Sequence, residues 1–136
     1  KTFASTTVIA AGELEPIVGE DSLGFYLEDA ATVSWIMRSS VHWAIRAITA
    51  NNRLYAQNEA GLLGYPVAYS NAVASPATTA KTVLFGCWAY MGYRESPDIR
   101  FISDPYSVDG LVILKYSFRD AYGILQSAAI GYGKQA

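Results

Sequence analysis

Between Val112 and Phe118 the apolar side chains Val112, Leu114, Tyr116 and Phe118 recur at every second position, opposite Lys115, Ser117 and Arg119. A period of two suits an extended strand whose faces meet different surroundings, and it cannot form one stripe of a helix. Such a strand needs a partner and a cover for its apolar side. The sequence predicts that Asp120 to Gly123 turns the chain and that Ile124 to Ile130 returns beside it. The expectation is a closing hairpin whose Val112-Leu114-Tyr116-Phe118 face packs into the core.

The same reading extends backwards along the chain. Thr32-Val33-Ser34-Trp35-Ile36-Met37 is β-branched and aromatic, as in a half-buried strand. Ser39 or Ser40 then caps a helix of about residues 40–50, in which Val41, Ala44, Ile45 and Ile48 form the apolar stripe. His42, Arg46 and Thr49 fall on other faces, and Asn51-Asn52 ends the helix. Pro66 cannot donate to a ladder, so Tyr65 to Ser70 is expected at a sheet edge. Residues 71–82, rich in Ala, Ser, Thr and Pro, read as a loop. Val83 to Glu95 reads as one long strand, apolar on both faces, with Gly86 and Gly92 admitting a close backbone or ring. Ser96-Pro97-Asp98 turns the chain, Ile99 to Ser103 returns it, and Asp104-Pro105-Tyr106-Ser107 turns it again. Residues 1–30 are the least readable: a short strand at Thr6-Thr7-Val8-Ile9, a loop over Gly12 to Asp21, and a brief helix from Asp21-Ser22 to about Asp29.

Composition limits what such a chain does. A length of 136 residues supports one domain with a single core. With 51% hydrophobic and 16% charged residues, the chain lies outside the disordered class. Part of its set of 10 tyrosines is therefore expected to face partners. The ten cations, from Lys1 to Lys134, are scattered singly at a net charge of −2, which argues against sequence-specific nucleic-acid binding. Cys87 is the only cysteine, which excludes an internal disulfide and suits a reducing cytoplasm. No apolar run reaches the roughly 20 residues of a membrane helix. The chain opens on Lys1 in place of Met, and a processed or truncated product is the expectation.

Chemical constellations are sparse. His42 is the only histidine, so any Ser-His-Asp or Cys-His arrangement must use it, and its place on the helix reads as a surface or boundary site. Cys87 alternates with Phe85 and Ala89 in an apolar strand and reads as a buried, inert thiol. Glu13, Glu15, Glu20, Asp21, Glu28 and Asp29 match no cation-loop or catalytic spacing and read as solvated loop charge. Asp104 and Asp109 read as turn formers. No P-loop, dinucleotide fingerprint or nucleophile elbow is present. The expected catalytic, cofactor-binding and metal-binding sets are all empty.

One combination is more specific than its parts. Leu62-Leu63-Gly64-Tyr65-Pro66-Val67 is followed by Phe85-Gly86-Cys87, Arg94-Glu95-Ser96-Pro97, Asp104-Pro105-Tyr106 and Arg119-Asp120. In that order they resemble the C-terminal half of the tailed-bacteriophage major capsid protein of the Hong Kong 97 type, over roughly residues 31–133. Trp35-Ile36-Met37 followed by a short helix agrees, whereas Cys87 stands where the family more often has an acidic residue. The resemblance implies an α+β fold: a mixed β-sheet wedge with short flanking helices and a C-terminal β-hairpin. It divides the single domain 1–136 into a poorly readable segment 1–30, an axial-domain-like part 31–108 and a closing hairpin 109–136. It implies a shell fragment without cofactor or catalysis, made in the bacterial host cytoplasm and residing in the virion. Its partners would be copies of itself, as pentamers and hexamers in the full-length protein, with other head proteins possible in addition and no membrane. The family's arm, extended loop and spine helix would precede this segment. Subunit contact is expected in the polar loops at 51–60 and 71–82, at Asn52, Arg53, Tyr55, Gln57, Asn71 and Lys81. The alternatives are an encapsulin-like compartment shell and a small β-rich ligand-binding or hydrolase domain.

Overall fold

The computed structural model describes residues 1–10, 12–19, 21–28, 32–48, 61–108 and 110–136. They fall into two compact units, Lys1–Tyr90 with Gln126–Ala136, and Met91–Leu125. The fold is α+β with a mixed sheet and short helices, as expected.

The first unit is built on a four-stranded sheet in the order β2-β1-β3-β8. These strands are β1 (Val33–Met37), β2 (Val67–Tyr69), β3 (Lys81–Cys87) and β8 (Ile130–Lys134). β1 runs parallel to β2 and antiparallel to β3, and β3 runs antiparallel to β8. Alternation in β1 buries Val33, Trp35 and Met37 against Val83, Phe85 and Cys87 of β3. Residues 1–3 cover the outer edge of β8, where Thr2 bridges Lys134. Helices α1 (Glu15–Val18), α2 (Asp21–Gly24) and α3 (Ser39–Arg46) add Ile17, Leu23, Val41 and Ile45 to the core.

Local chemistry departs from expectation at several points. The residue before α3 is Arg38, extended at φ −71° and ψ 148°, and no side chain caps the helix. Arg38 instead donates through Nε to the Val73 carbonyl and through Nη2 to that of Asn71 (2.7 Å), pinning the loop after β2. The helix buries Val41, His42 and Ile45, while Ala44 is exposed, so the real stripe is turned toward His42. α3 ends at Arg46, and the expected stop at Asn51-Asn52 lies outside the described residues. Residues 6–9 form no strand, and α2 spans four residues where a helix to Asp29 was expected.

The second unit holds two separate antiparallel pairs. β4 (Met91–Glu95) pairs with β7 (Asp120–Ile124), and β5 (Arg100–Val108) pairs with β6 (Leu111–Ser117). The stretch 83–95 is therefore two strands, separated by a 3-10 turn at Trp88–Tyr90. A hairpin does lie in the C-terminal third, but β6 takes β5, the strand before it, as partner. Asp120 to Gly123 is strand, and residues 124–130 end β7, pass a 3-10 turn at Ser127–Ala129 and begin β8. Asp104-Pro105-Tyr106 likewise lies inside β5, where the register shifts between Asp104 and Val108. Pro105 has no N–H to give a ladder, so an irregularity there is the form in which a strand accommodates it. The turn falls two residues later, between paired Val108 and Leu111, with Gly110 at φ 77°.

Candidate assembly surface

The Leu62–Val67 motif acts as a bracket for Trp35. Leu62 and Tyr65 bond each other in both directions, N to O, at 2.9 and 3.1 Å. This closes a two-residue turn at Leu63 (φ 52°) and Gly64 (φ 82°), both left-handed as a type I′ turn requires. The turn aims the Leu62 carbonyl at the indole Nε1–H of Trp35 (2.9 Å), and the Pro66 carbonyl accepts from Trp35 N (2.9 Å). The Phe85 ring packs 4.3 Å from that of Trp35 and 5.1 Å from that of Tyr65. Gly86 extends the same packing: a Cβ there would strike the Ala129 carbonyl and lie 2.8 Å from Ile130 Cα. Motif positions 62–67, 85 and 86 are thus one structural cluster in the first unit.

The remaining motif positions lie in the second unit. Arg94, Glu95, Arg119 and Asp120 line one cleft of about 250 Å³ with Ser96, Pro97 and Ala121. Glu95 is paired directly with Asp120, and Tyr93 with Tyr122, whose rings stand 4.9 Å apart. The bond from the Tyr122 hydroxyl to Asp120 comes first in holding that phenol above its ordinary pKa. Tyr93 is also raised, first by lost solvent and then by its bond to Glu95. Asp104 Oδ1 accepts from Tyr106 N (3.0 Å), while the Tyr106 side chain stands 94% exposed.

No described residue of the second unit is buried. On β5–β6 the register places Phe101 opposite Tyr116 and Ser103 opposite Leu114. Alternation adds Val112 to that side, giving an open apolar face, and Phe118, just past the end of β6, is itself 63% exposed. The core packing expected for this stripe is therefore corrected. An isolated two-stranded pair buries too little to hold such residues inward.

Other candidate residues resolve individually. His42 is 3% exposed, not superficial: Tyr69 of β2 covers it, with the Tyr69 hydroxyl 2.7 Å from Nδ1. Burial first, and Arg46 second, hold its imidazole below the ordinary pKa. Cys87 is buried, with Sγ 3.1 Å from Thr32 Oγ1. Glu13 is not solvated charge, because its carboxylate accepts from Ala4 N (2.6 Å) and Ala10 N (2.7 Å) and fastens the N-terminal loop. Asn52, Arg53, Tyr55 and Gln57 lie outside the described residues, whereas Asn71 and Lys81 are exposed. A groove of about 230 Å³ beside α3 is walled chiefly by Val8, Ile9, Val41, Ala44, Ile45 and Pro76. It is apolar and suits packing better than chemistry. Among the described residues, no group of three or more His, Cys, Asp and Glu side chains is placed to hold a metal ion, and no helix is long and apolar enough to cross a membrane.

The model of the phage capsid family matches residues 18–135, and the chain belongs to that family. Among solved structures it is similar to the capsid of an empty GTA particle computed with C5 symmetry. That match has 26% identity and a TM-score of 0.73, covering 99% of this chain and 49% of that one. It is also similar to the capsid of a native GTA particle computed with C5 symmetry, at 25% identity, TM-score 0.71, 99% of this chain and 48% of that one. The chain thus spans about half the length of these capsid chains. No curated protein matches it.

Proposed function

We propose that this chain is the C-terminal, axial-domain part of a major capsid subunit and that it works by assembly, not catalysis. The observation that carries this reading is the second unit, which displays Phe101, Val112, Leu114 and Tyr116 on one face, leaves Phe118 exposed after β6 and buries none of its described residues. A contiguous apolar face of this kind marks an interaction surface. Membership of the capsid family and the two capsid neighbours support the same conclusion.

In this reading the Trp35 bracket and the Phe85-Gly86 packing give the subunit its rigid body. Arg94, Glu95, Arg119 and Asp120 fix the base of the ribbon, and exposed Tyr106, Asn71 and Lys81 are available to neighbours. Copies meet as pentamers and hexamers in a virion shell, made in the host cytoplasm and joined there by other head proteins. Affinity arises from repetition of modest contacts around closed symmetry.

The test compares this chain with a protein of the relatives' full length, by light scattering and negative-stain microscopy. The expected result is capsomers or closed shells from the longer protein, with the 136-residue chain monomeric or weakly associating at micromolar concentration. A longer protein that stays monomeric across salt and concentration while turning over a small substrate would overturn the reading.

A further inference from the structure

The two faces of β8 carry different chemistry. Lys134 of β8 stands directly opposite Lys81 of β3. Like charges in that position repel, and a fold keeps them at a cost that an anion placed between them removes. Lys81 Nζ also lies 4.3 Å from the centroid of the Tyr132 ring, so both lysines and Tyr132 share one side of the sheet. Tyr132 is 42% exposed there.

Gly131 and Gly133 alternate to the other side. A Cβ on Gly131 would lie 3.3 Å from Ile17 and 3.6 Å from Leu23, which places α1 and α2 against that face. Glu15 is exposed on α1, and Glu28 is exposed four residues past the end of α2. A basic aromatic patch and an acidic layer therefore flank one sheet on opposite sides. Such an arrangement matches a second copy head to tail, a contact that builds a ring where its rotation closes and a filament where it does not.

We infer that Lys81, Lys134 and Tyr132 form one half of a contact between copies of this chain, and that Glu15 and Glu28 of the neighbouring copy form the other. The inference rests on the shell reading and names one of its contacts. A nucleic acid is the weaker occupant, because two lysines on a chain of net charge −2 neutralise few phosphates.

The test uses the whole chain at a concentration on the order of a millimolar, where weak contacts populate. Isotopically light and heavy chains are mixed, joined with a zero-length carbodiimide and mapped by mass spectrometry, and association is followed by sedimentation. The expected result is mixed-isotope links from Lys81 or Lys134 to Glu15 or Glu28. Lys81→Glu with Lys134→Glu, and separately Glu15→Lys with Glu28→Lys, should each weaken association about tenfold, and mixing the two variants should restore it. Circular dichroism checks that each variant is folded. Association indifferent to these reversals, or links confined to other residues, overturns the contact while leaving the shell reading intact. So does a wild-type chain that remains monomeric, since particle formation by the longer protein judges the shell reading separately. Retention of a DNA duplex that is lost in Lys81→Glu with Lys134→Glu, with self-association unchanged, overturns it in favour of nucleic acid.

Discussion

The Phe3 ring fills the space where a side chain on Gly133 would begin: a Cβ built on Gly133 would lie 2.7 Å from Phe3 Cε2. Phe3 is 1% exposed, and its N–H donates to the Lys134 carbonyl at 2.7 Å, so the ring cannot swing away without releasing the edge of the sheet. Gly133→Ala is expected to destabilise the first unit by about 1–3 kcal/mol, the cost of overpacking. A lower urea midpoint with an unchanged slope would show it, and an unchanged midpoint would mean that the ring yields freely.

Trp35→Phe removes one donor and part of a ring. The Leu62 carbonyl then keeps Tyr65 N (3.1 Å) but loses its 2.9 Å indole partner, and the expected loss is about 0.5–1.5 kcal/mol beyond the change in packing. Trp35→Leu lacks the donor as well, so its difference from Trp35→Phe in the same melts reports packing alone, and a Trp35→Phe midpoint equal to the wild type's would remove the hydrogen bond from the account.

His42 supplies a pH dependence of known sign. Its folded pKa lies below the ordinary 6.5, so as pH falls the unfolded chain takes up the proton first. Stability is therefore fully present above 6.5 and declines as pH drops through the window between that value and the lowered one. Urea midpoints at about pH 7.5 and about pH 5 should differ more for the wild type than for His42→Asn. Equal differences would remove His42 from the account.

Phe118→Ala should cost under about 1 kcal/mol in this chain, because the ring is exposed. Phe85→Ala, in the core, should cost about 3–5 kcal/mol. A large loss at Phe118 would show that the ribbon face is covered in solution.

Cys87 should react slowly with a thiol reagent until denaturant is added, given its burial and its contact with Thr32. Fast stoichiometric labelling of the native protein would mean that β3 is accessible.

Strand β1, helix α3 and the edge position of β2 were all legible in the sequence, because each is set by residues within a few positions; the turn at Leu63-Gly64 was not read. Pairing was not legible. The Val112–Phe118 alternation identifies a strand but says nothing of which neighbour it joins. Asp109 was read as a turn former, but the Asp-Gly pair it makes with Gly110, a dipeptide that favours a two-residue hairpin, was not used to pair the strands on either side. His42 was misplaced because its cover, Tyr69, comes from a strand 27 residues away. The break at Trp88–Tyr90 carries no glycine or proline to mark it. Among the candidate contact positions, Lys81 stood out only after β8 set Lys134 beside it.

The bridge between Thr2 and Lys134 joins the first and last elements of one sheet. During synthesis, residues 1–3 therefore wait until β8 has emerged before their partner exists. The Phe3 side of the core stays open to water throughout that delay, and loop closure over so long a span makes the final step slow. The second unit, whose strands pair within Met91–Leu125, emerges earlier and reaches its backbone register first, with its apolar face already on display. A nascent chain of this design is thus most prone to wrong association just before β8 appears, so its yield should depend on how quickly β8 and residues 1–3 find each other.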